Sequence, residues 1–332
     1  MTEPTAPEGL VLRIDAKVCH VEVDGQRRTL PLAGKLFEER SHEKRPLAVG
    51  DRVRLDATGQ AIDELLPRAS MLNRRAASEG EERSQVVAAN NTLVLAVAAA
   101  AEPPFQPELI DGVLAGAVRQ QIPAVLVVTK IDRDKKGASQ EWIELYRSIG
   151  YRVFATSAQP GSETTEAFDQ LRTLLHDNRT VLCGLSGVGK STLLNTLIPG
   201  LALRIGSLNH IRQGKHTTAH TELIPLPGGG HVLDTPGVRS FHQFQIGAQE
   251  SQFVFPEIAA LLPKCGYRNC IHRDEPDCAV LAALDSGAVH RSRYASYSTM
   301  LDHALRSERL HSKVDSDDDG KRQGGKRRRP GS

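Results

Sequence analysis

Eight consecutive residues, Gly184-Leu185-Ser186-Gly187-Val188-Gly189-Lys190-Ser191, meet the GxxxxGK[ST] spacing of a phosphate-wrapping loop. Backbone N–H groups of such a loop surround a β-phosphate, the Lys190 ammonium reaches the β and γ oxygens, and the Ser191 hydroxyl holds Mg²⁺. The motif requires a strand before it and a helix after it. The apolar run Thr180 to Cys183 and the pattern Thr192 to Leu197 supply both. Downstream, His231 to Asp234 reads as a strand ending in a carboxylate, and Thr235-Pro236-Gly237 follows. Asp234 there suits a water-mediated Mg²⁺ contact, and the Gly237 N–H suits sensing of a γ-phosphate. Between these elements lies the polar stretch Gly214 to His220, where either Thr217 or Thr218 can complete the metal shell when the γ-phosphate is present. His216 and His220 in it read as exposed loop histidines.

A second apolar strand, Val125 to Val128, runs into Thr129-Lys130-Ile131-Asp132. A carboxylate in the Asp132 position accepts hydrogen bonds from guanine N1–H and its exocyclic amine, which adenine cannot offer, while the Lys130 stem covers the ring. Ser157-Ala158, after the next strand, fits a loop whose Ala158 N–H meets guanine O6. Thr129 stands where an asparagine amide is common, and the loss of that amide is expected to weaken guanine binding. Two other readings compete with a GTPase: a P-loop ATPase with Asp234 as its acidic residue, and an RNA-binding nucleotide switch without turnover.

Cys265, Cys270, His272 and Cys278 place three thiolates and one imidazole with four, one and five residues between them. This is a closed tetrahedral set for one structural zinc, with no position left open for water. Cys19 and Cys183 lie in strand patterns and read as core residues.

These groups need elements to hold them. The chain has 332 residues, with 42 Lys plus Arg against 40 Asp plus Glu, so a net charge of +2 gives no global case for nucleic-acid binding. No leader-like segment starts the sequence, and the longest apolar run, Leu93 to Ala101, is too short to span a bilayer. A cytoplasmic protein without membrane contact is expected, and nothing suggests a dimer surface, so a monomer is too. Short strand patterns with turn signals between Gly9 and Arg68 predict a small barrel over residues 1–70. Residues 71–88 read as a linker, because their charges carry no apolar period. Apolar strand runs alternate with helical segments at Leu109 to Arg119, Trp142 to Ile149 and Thr165 to Leu175, which predicts an α/β domain with a parallel sheet over 89–240. Residues 241–312 read as a mainly helical domain around the Cys/His set. Residues 313–332, with the acidic run Asp315 to Asp319 and the basic run Lys326 to Arg329, read as a disordered charged tail. The Lys35 to Arg45 loop is either an RNA contact or a solvated face, and the basic tail either an rRNA contact or a solubilising end.

In ordinary GTPases the phosphate elements precede the base elements. Here the order runs TKID, Ser157-Ala158, P-loop, His216-Thr217-Thr218, DTPG, with a barrel in front and a Cys/His module behind. From about Gly9 to Leu310 the chain resembles the circularly permuted, ribosome small-subunit-dependent GTPases of the RsgA (YjeQ) type. The resemblance implies an OB-fold barrel that binds RNA, a permuted GTPase domain and a zinc domain. It implies GTP hydrolysis to GDP, with Mg²⁺, in late maturation of the small (30S) ribosomal subunit and stimulated by that subunit and its rRNA. It also implies a catalytic histidine soon after the DTPG element, for which both His242 and Gln245 are candidates beside Lys190 and Thr218. Val238 follows Gly237 directly, where Ras-like enzymes carry a water-orienting glutamine, so slow intrinsic hydrolysis is expected.

Overall fold

A computed structural model of the chain describes residues 6–15, 18–31, 47–75, 84–161, 164–199, 222–234 and 246–324. Five short strands come first: β1 (Glu8–Ile14), β2 (Val18–Val23), β3 (Gln26–Pro31), β4 (Arg52–Leu55) and β5 (Ile62–Leu65). β2 pairs with β1 and β3, and β4 with β1 and β5, all antiparallel. Their alternating inward residues, among them Val11, Val21, Val23, Val53, Leu55 and Ile62, make one apolar cluster.

Two further strands, β6 (Met71–Arg75) and β7 (Ser84–Ala89), form an antiparallel pair running from Met71↔Ala89 to Arg75↔Ser84. Much of the segment expected to be a linker is therefore a ribbon. Its ladder is made by backbone groups, which leave no trace in side-chain periodicity. Its end is buried at Ala88, which bridges to Val49.

The α/β part follows as β8 (Leu93–Ala99), α1 (Pro107–Arg119), β9 (Ala124–Thr129), α2 (Ala138–Ser148), β10 (Arg152–Ala155), α3 (Thr165–His176), β11 (Arg179–Cys183), α4 (Lys190–Leu197), β12 (Glu222–Pro225) and β13 (His231–Asp234). β10, β9, β8, β11 and β13 lie side by side, all parallel, and β12 closes the row antiparallel to β13. Every residue of β8 is buried. Its Val94, Ala96 and Ala98 pack with Val113 and Leu114 of α1 and Ile143 and Tyr146 of α2. Its Leu93, Leu95, Val97 and Ala99 pack with Phe168, Leu171 and Leu175 of α3 and Leu193 and Leu197 of α4. Helices thus cover both faces, which is why the strand reads as an unbroken apolar run. Each such buried aliphatic side chain contributes roughly 1.5–3 kcal/mol by removal from water.

β12 also pairs with β1, so the sheet is continuous through the row β10-β9-β8-β11-β13-β12-β1-β2-β3. The antiparallel strands β1–β5 and the α/β part, expected as separate domains, belong to one compact unit spanning 1–244.

The second unit, 245–332, carries α5 (Pro256–Ala259), a 3₁₀ turn at Leu262–Lys264, α6 (Ala279–Asp285) and α7 (Arg291–Gly324). α7 runs well past residue 312, through the acidic stretch expected as tail: once a docked helix is nucleated, extension adds one backbone hydrogen bond per residue without a new nucleus. The basic run Lys326 to Arg329 and the Lys35 to Arg45 loop lie outside the described residues. Among the described residues no helix is long and apolar enough to cross a membrane.

Candidate functional site

Three loops leave the carboxyl ends of β9, β10 and β11 in the same parallel row, the place where open α/β sheets bind ligands. The loop after β11 is the GxxxxGK element. Gly184 opens it where an added Cβ would lie 2.1 Å from the Val97 carbonyl oxygen, so no side chain fits. Gly187 and Gly189 both take left-handed φ, 84° and 92°, which curl the loop before α4 begins at Lys190. The Lys190 Nζ lies inside this curl, 2.8 Å from the Gly184 carbonyl and 2.6 Å from that of Leu185. Ser186 and Ser191 are exposed and Val188 is buried under the loop.

The loop after β9 begins at Thr129 and turns sharply at Lys130, whose φ is 57°. The turn throws Ile131–Arg133 into a 3₁₀ turn that presents Asp132. Ser157, in the loop after β10, donates its hydroxyl to Asp132 Oδ1 at 2.7 Å and accepts from the Gln159 N–H at 3.2 Å. Thr129, Lys130, Asp132, Ala158, Gly189 and Thr192 line one cleft of about 330 Å³. The base-reading and phosphate-wrapping elements, separated in sequence and in reversed order, are thereby brought together. The joint is direct: the Thr129 hydroxyl donates to the Val188 carbonyl at 2.5 Å, and the Lys130 Nζ donates to the Gly187 carbonyl at 2.6 Å. Lys130 also reaches the Glu102 carbonyl, and Arg133 pairs with the Glu102 carboxylate at 2.9 Å. Sequence reasoning did not single out Glu102.

β13 lies beside β11 with Val181 opposite Leu233, so its terminal Asp234 follows the strand neighbouring the phosphate loop. Thr217, Thr218, Gly237, His242 and Gln245 lie outside the described residues.

In the second unit Cys265, Cys270, His272 and Cys278 do converge, their ligand atoms all within 4.8 Å of one another. His272 Nδ1 sits 3.2 Å from Cys270 Sγ, 3.3 Å from Cys278 Sγ and 3.7 Å from Cys265 Sγ. A tetrahedral ion with metal–sulfur bonds of about 2.3 Å and a metal–nitrogen bond of about 2.0 Å separates such atoms by about 3.6 Å, so the set fits a metal bound through Nδ1. The other ring nitrogen, Nε2, meets Gln252 Oε1 at 3.1 Å, which selects the tautomer that leaves Nδ1 free to ligate. Burial pushes the Cys270 thiol up to about 12 and holds His272 below its ordinary value. Burial thus favours the neutral imidazole, the form that ligates a metal, and disfavours a thiolate that has no cation beside it.

The turn carrying these ligands is tied from three sides. His272 takes φ 58°. The Glu275 carboxylate accepts the N–H groups of Ile271 at 2.6 Å and Arg273 at 2.7 Å. Burial raises that carboxyl, but these bonds outweigh burial and leave it below its ordinary value. Tyr294 and Tyr297 of α7 donate to the carbonyls of His272 and Ile271 at 2.6 and 2.9 Å. Their spacing of three on one helix face was the available sequence signal. Gln252 had none.

The comparisons agree with this geometry. The RsgA GTPase family matches residues 65–244. A small ribosomal subunit biogenesis GTPase RsgA of Moorella thermoacetica is 38% identical over 312 residues, covering 92% of this chain and all of the relative. One of Chlorobaculum parvum is 36% identical over 267 residues, 77% of this chain and 85% of the relative. The crystal structure of YjeQ from Thermotoga maritima superposes with a TM-score of 0.72 at 30% identity, covering 90% of this chain and 98% of that one. YloQ, described as a circularly permuted GTPase, gives 0.68 at 25% identity, with 91% and 96% covered. A family match over 65–244 and relatives more than 30% identical over most of the chain lead to one conclusion: the chain belongs to the RsgA family of GTPases.

Proposed function

We propose that this GTPase hydrolyses GTP during late maturation of the small ribosomal subunit, and that the 30S subunit stimulates its turnover. The observation that carries the reading is the joint between Thr129 and Val188, which holds a guanine-reading turn against a phosphate loop in one cleft. In this reading Asp132, hydrogen-bonded by Ser157, accepts from guanine with Ile131 and Ala158 beside it, and Leu185, Ser186 and Gly187 wrap phosphate. Lys190 neutralises charge on the β and γ oxygens, and Mg²⁺ held by Ser191, Thr217 or Thr218 and Asp234 would polarise the transferred phosphoryl group. Thr218, His242 and Gln245 are the candidates for the catalytic loop that the subunit completes.

The antiparallel strands β1–β5 are read as an OB-type barrel that contacts rRNA, and the Cys265, Cys270, His272 and Cys278 set as a structural zinc site. The three-thiolate, one-imidazole chemistry supports zinc over harder cations. The working form is a cytoplasmic monomer cycling between GTP and GDP. Steady-state GTP turnover, measured alone and with purified 30S subunits, tests the reading. Subunits are expected to raise kcat, Lys190→Ala to lower it by about 10²–10³-fold, the scale of one lost charge-stabilising donor, and ATP not to displace labelled GTP. A kcat indifferent to subunits would remove the ribosomal part, and displacement by ATP the guanine part.

A further inference from the structure

Glu222 opens β12 and is 6% exposed, although it is a carboxylate, at the strand where the parallel row meets β1 in one continuous sheet. On one side its Cα is in register with Arg13 of β1, and on the other with Asp234 of β13. Arg13, Glu222 and Asp234 therefore form one row across three strands. The Arg13↔Glu222 match is the only register pair joining β1 to β12 among the described residues, so side chains must hold the seam. Arg27 of β3 donates Nη1 to Glu222 Oε1 at 2.9 Å. Arg13 lies 3.9 Å from the other carboxylate oxygen and is itself forked onto Asp15 at 2.9 and 3.0 Å. His231, at the start of β13, meets Glu22 at 3.4 Å.

We propose that Glu222 is a positioning residue for Asp234: its ion pair with Arg27 anchors β12, and through the β12–β13 ladder the first three strands set the backbone position of Asp234, read here as the Mg²⁺-side residue. The physical warrant is the asymmetry of the pair. Arg27 is 45% exposed and keeps its hydration if released, whereas Glu222 at 8% does not. A buried carboxylate that loses its nearer partner and keeps only Arg13 at 3.9 Å is poorly compensated, and the short strand bearing it relieves this by moving toward water. β12 has only four residues, and its first is the one in register with Asp234, so the shift falls where GTP and GDP differ. Anything bound to β1–β3 that draws Arg27 away then changes GTP affinity, and GTP changes that binding in equal measure.

This inference rests on the reading of Asp234 as part of the GTP site. The test is the affinity of the full chain for a non-hydrolysable GTP analogue and for GDP, with Mg²⁺, in wild type, Arg27→Gln, Arg27→Lys, Glu222→Gln and the double variant Arg27→Gln/Glu222→Gln. Arg27→Gln should weaken the GTP analogue by about fivefold or more relative to GDP, the low end of coupling between sites. Arg27→Lys should restore most of the ratio. The double variant should lose less than the two single losses combined, since one interaction is removed twice. Equal weakening of both nucleotides in step with a lowered Tm, or an unchanged ratio in Arg27→Gln, overturns the proposal. If the wild type binds guanine nucleotides normally under that outcome, only the coupling falls; if it binds none, the GTP reading falls with it.

Discussion

The nucleotide cleft and the Cys/His turn each hinge on one residue in the left-handed region, Lys130 at φ 57° and His272 at φ 58°, yet different physics holds them. Lys130 follows a strand buried between two apolar layers, and its neighbours Thr129 and Asp132 are tied to the loops after β11 and β10 by hydrogen bonds within the protein. The cleft is therefore built before any ligand arrives. His272 lies instead on a short irregular turn whose framework is one carboxylate, two tyrosine hydroxyls and four ligand atoms facing one point. Preorganisation in the first unit comes from packing, and in the second the proposed zinc coordination would supply it.

Metal removal separates the two most sharply. A chelator, or Cys270→Ala, should unfold the Cys/His turn, since coordination free energies of about 10–16 kcal/mol exceed what so small a unit gains by packing. GDP affinity should change less than about twofold, because the cleft is supported by its own two cores. Tyrosine fluorescence from Tyr294 and Tyr297 and bound labelled GDP report on the two regions separately. Loss of both signals together would show that the first unit leans on the second.

Asp132→Asn perturbs the cleft without touching its packing. The amide keeps the size of the carboxylate but turns one acceptor oxygen into a donor facing the guanine N–H groups. A lost charged hydrogen bond is worth about 1.5–3 kcal/mol, or roughly 10–150-fold in GDP affinity. Xanthine nucleotides, with a carbonyl at that ring position, should lose far less. Equal losses for both bases would mean that Asp132 acts through the loop and not on the base.

How much of this was legible follows the same division. The P-loop and the TKID turn could be read because their chemistry sits within eight and four consecutive residues, and β8 because burial on both faces leaves an unbroken apolar run. The four metal ligands were legible by spacing, but Gln252, which orients His272 from 20 residues away, was not. Nor was the partnership of Arg27 with Glu222, 195 residues apart. β12 itself went unread, being four residues after a long polar stretch, and the β6–β7 ribbon passed for a linker because backbone ladders have no side-chain signature. Local pattern carries identity; the contacts that position it are made by residues distant in the chain.

The finest test concerns Thr129, where the sequence suggested a weakened site for want of an amide. The structure shows a contact that bears on that expectation: the Thr129 hydroxyl reaches the Val188 carbonyl and joins the base and phosphate loops. Its single proton goes to that carbonyl, and the Ala98 carbonyl at 3.2 Å receives only the residual attraction. Thr129→Val preserves volume and strand propensity but leaves the buried Val188 carbonyl without its donor, a cost of about 1–3 kcal/mol shared between stability and the alignment of the loop. The expected result is a loss of about three- to tenfold in GDP affinity with a small fall in Tm, and Thr129→Ser should recover the affinity. An affinity unchanged in Thr129→Val would mean that the packing of Val188 beneath the loop, and not the hydroxyl, holds the two halves of the cleft together, making the nucleotide site still less dependent on individual polar contacts than the Cys/His turn.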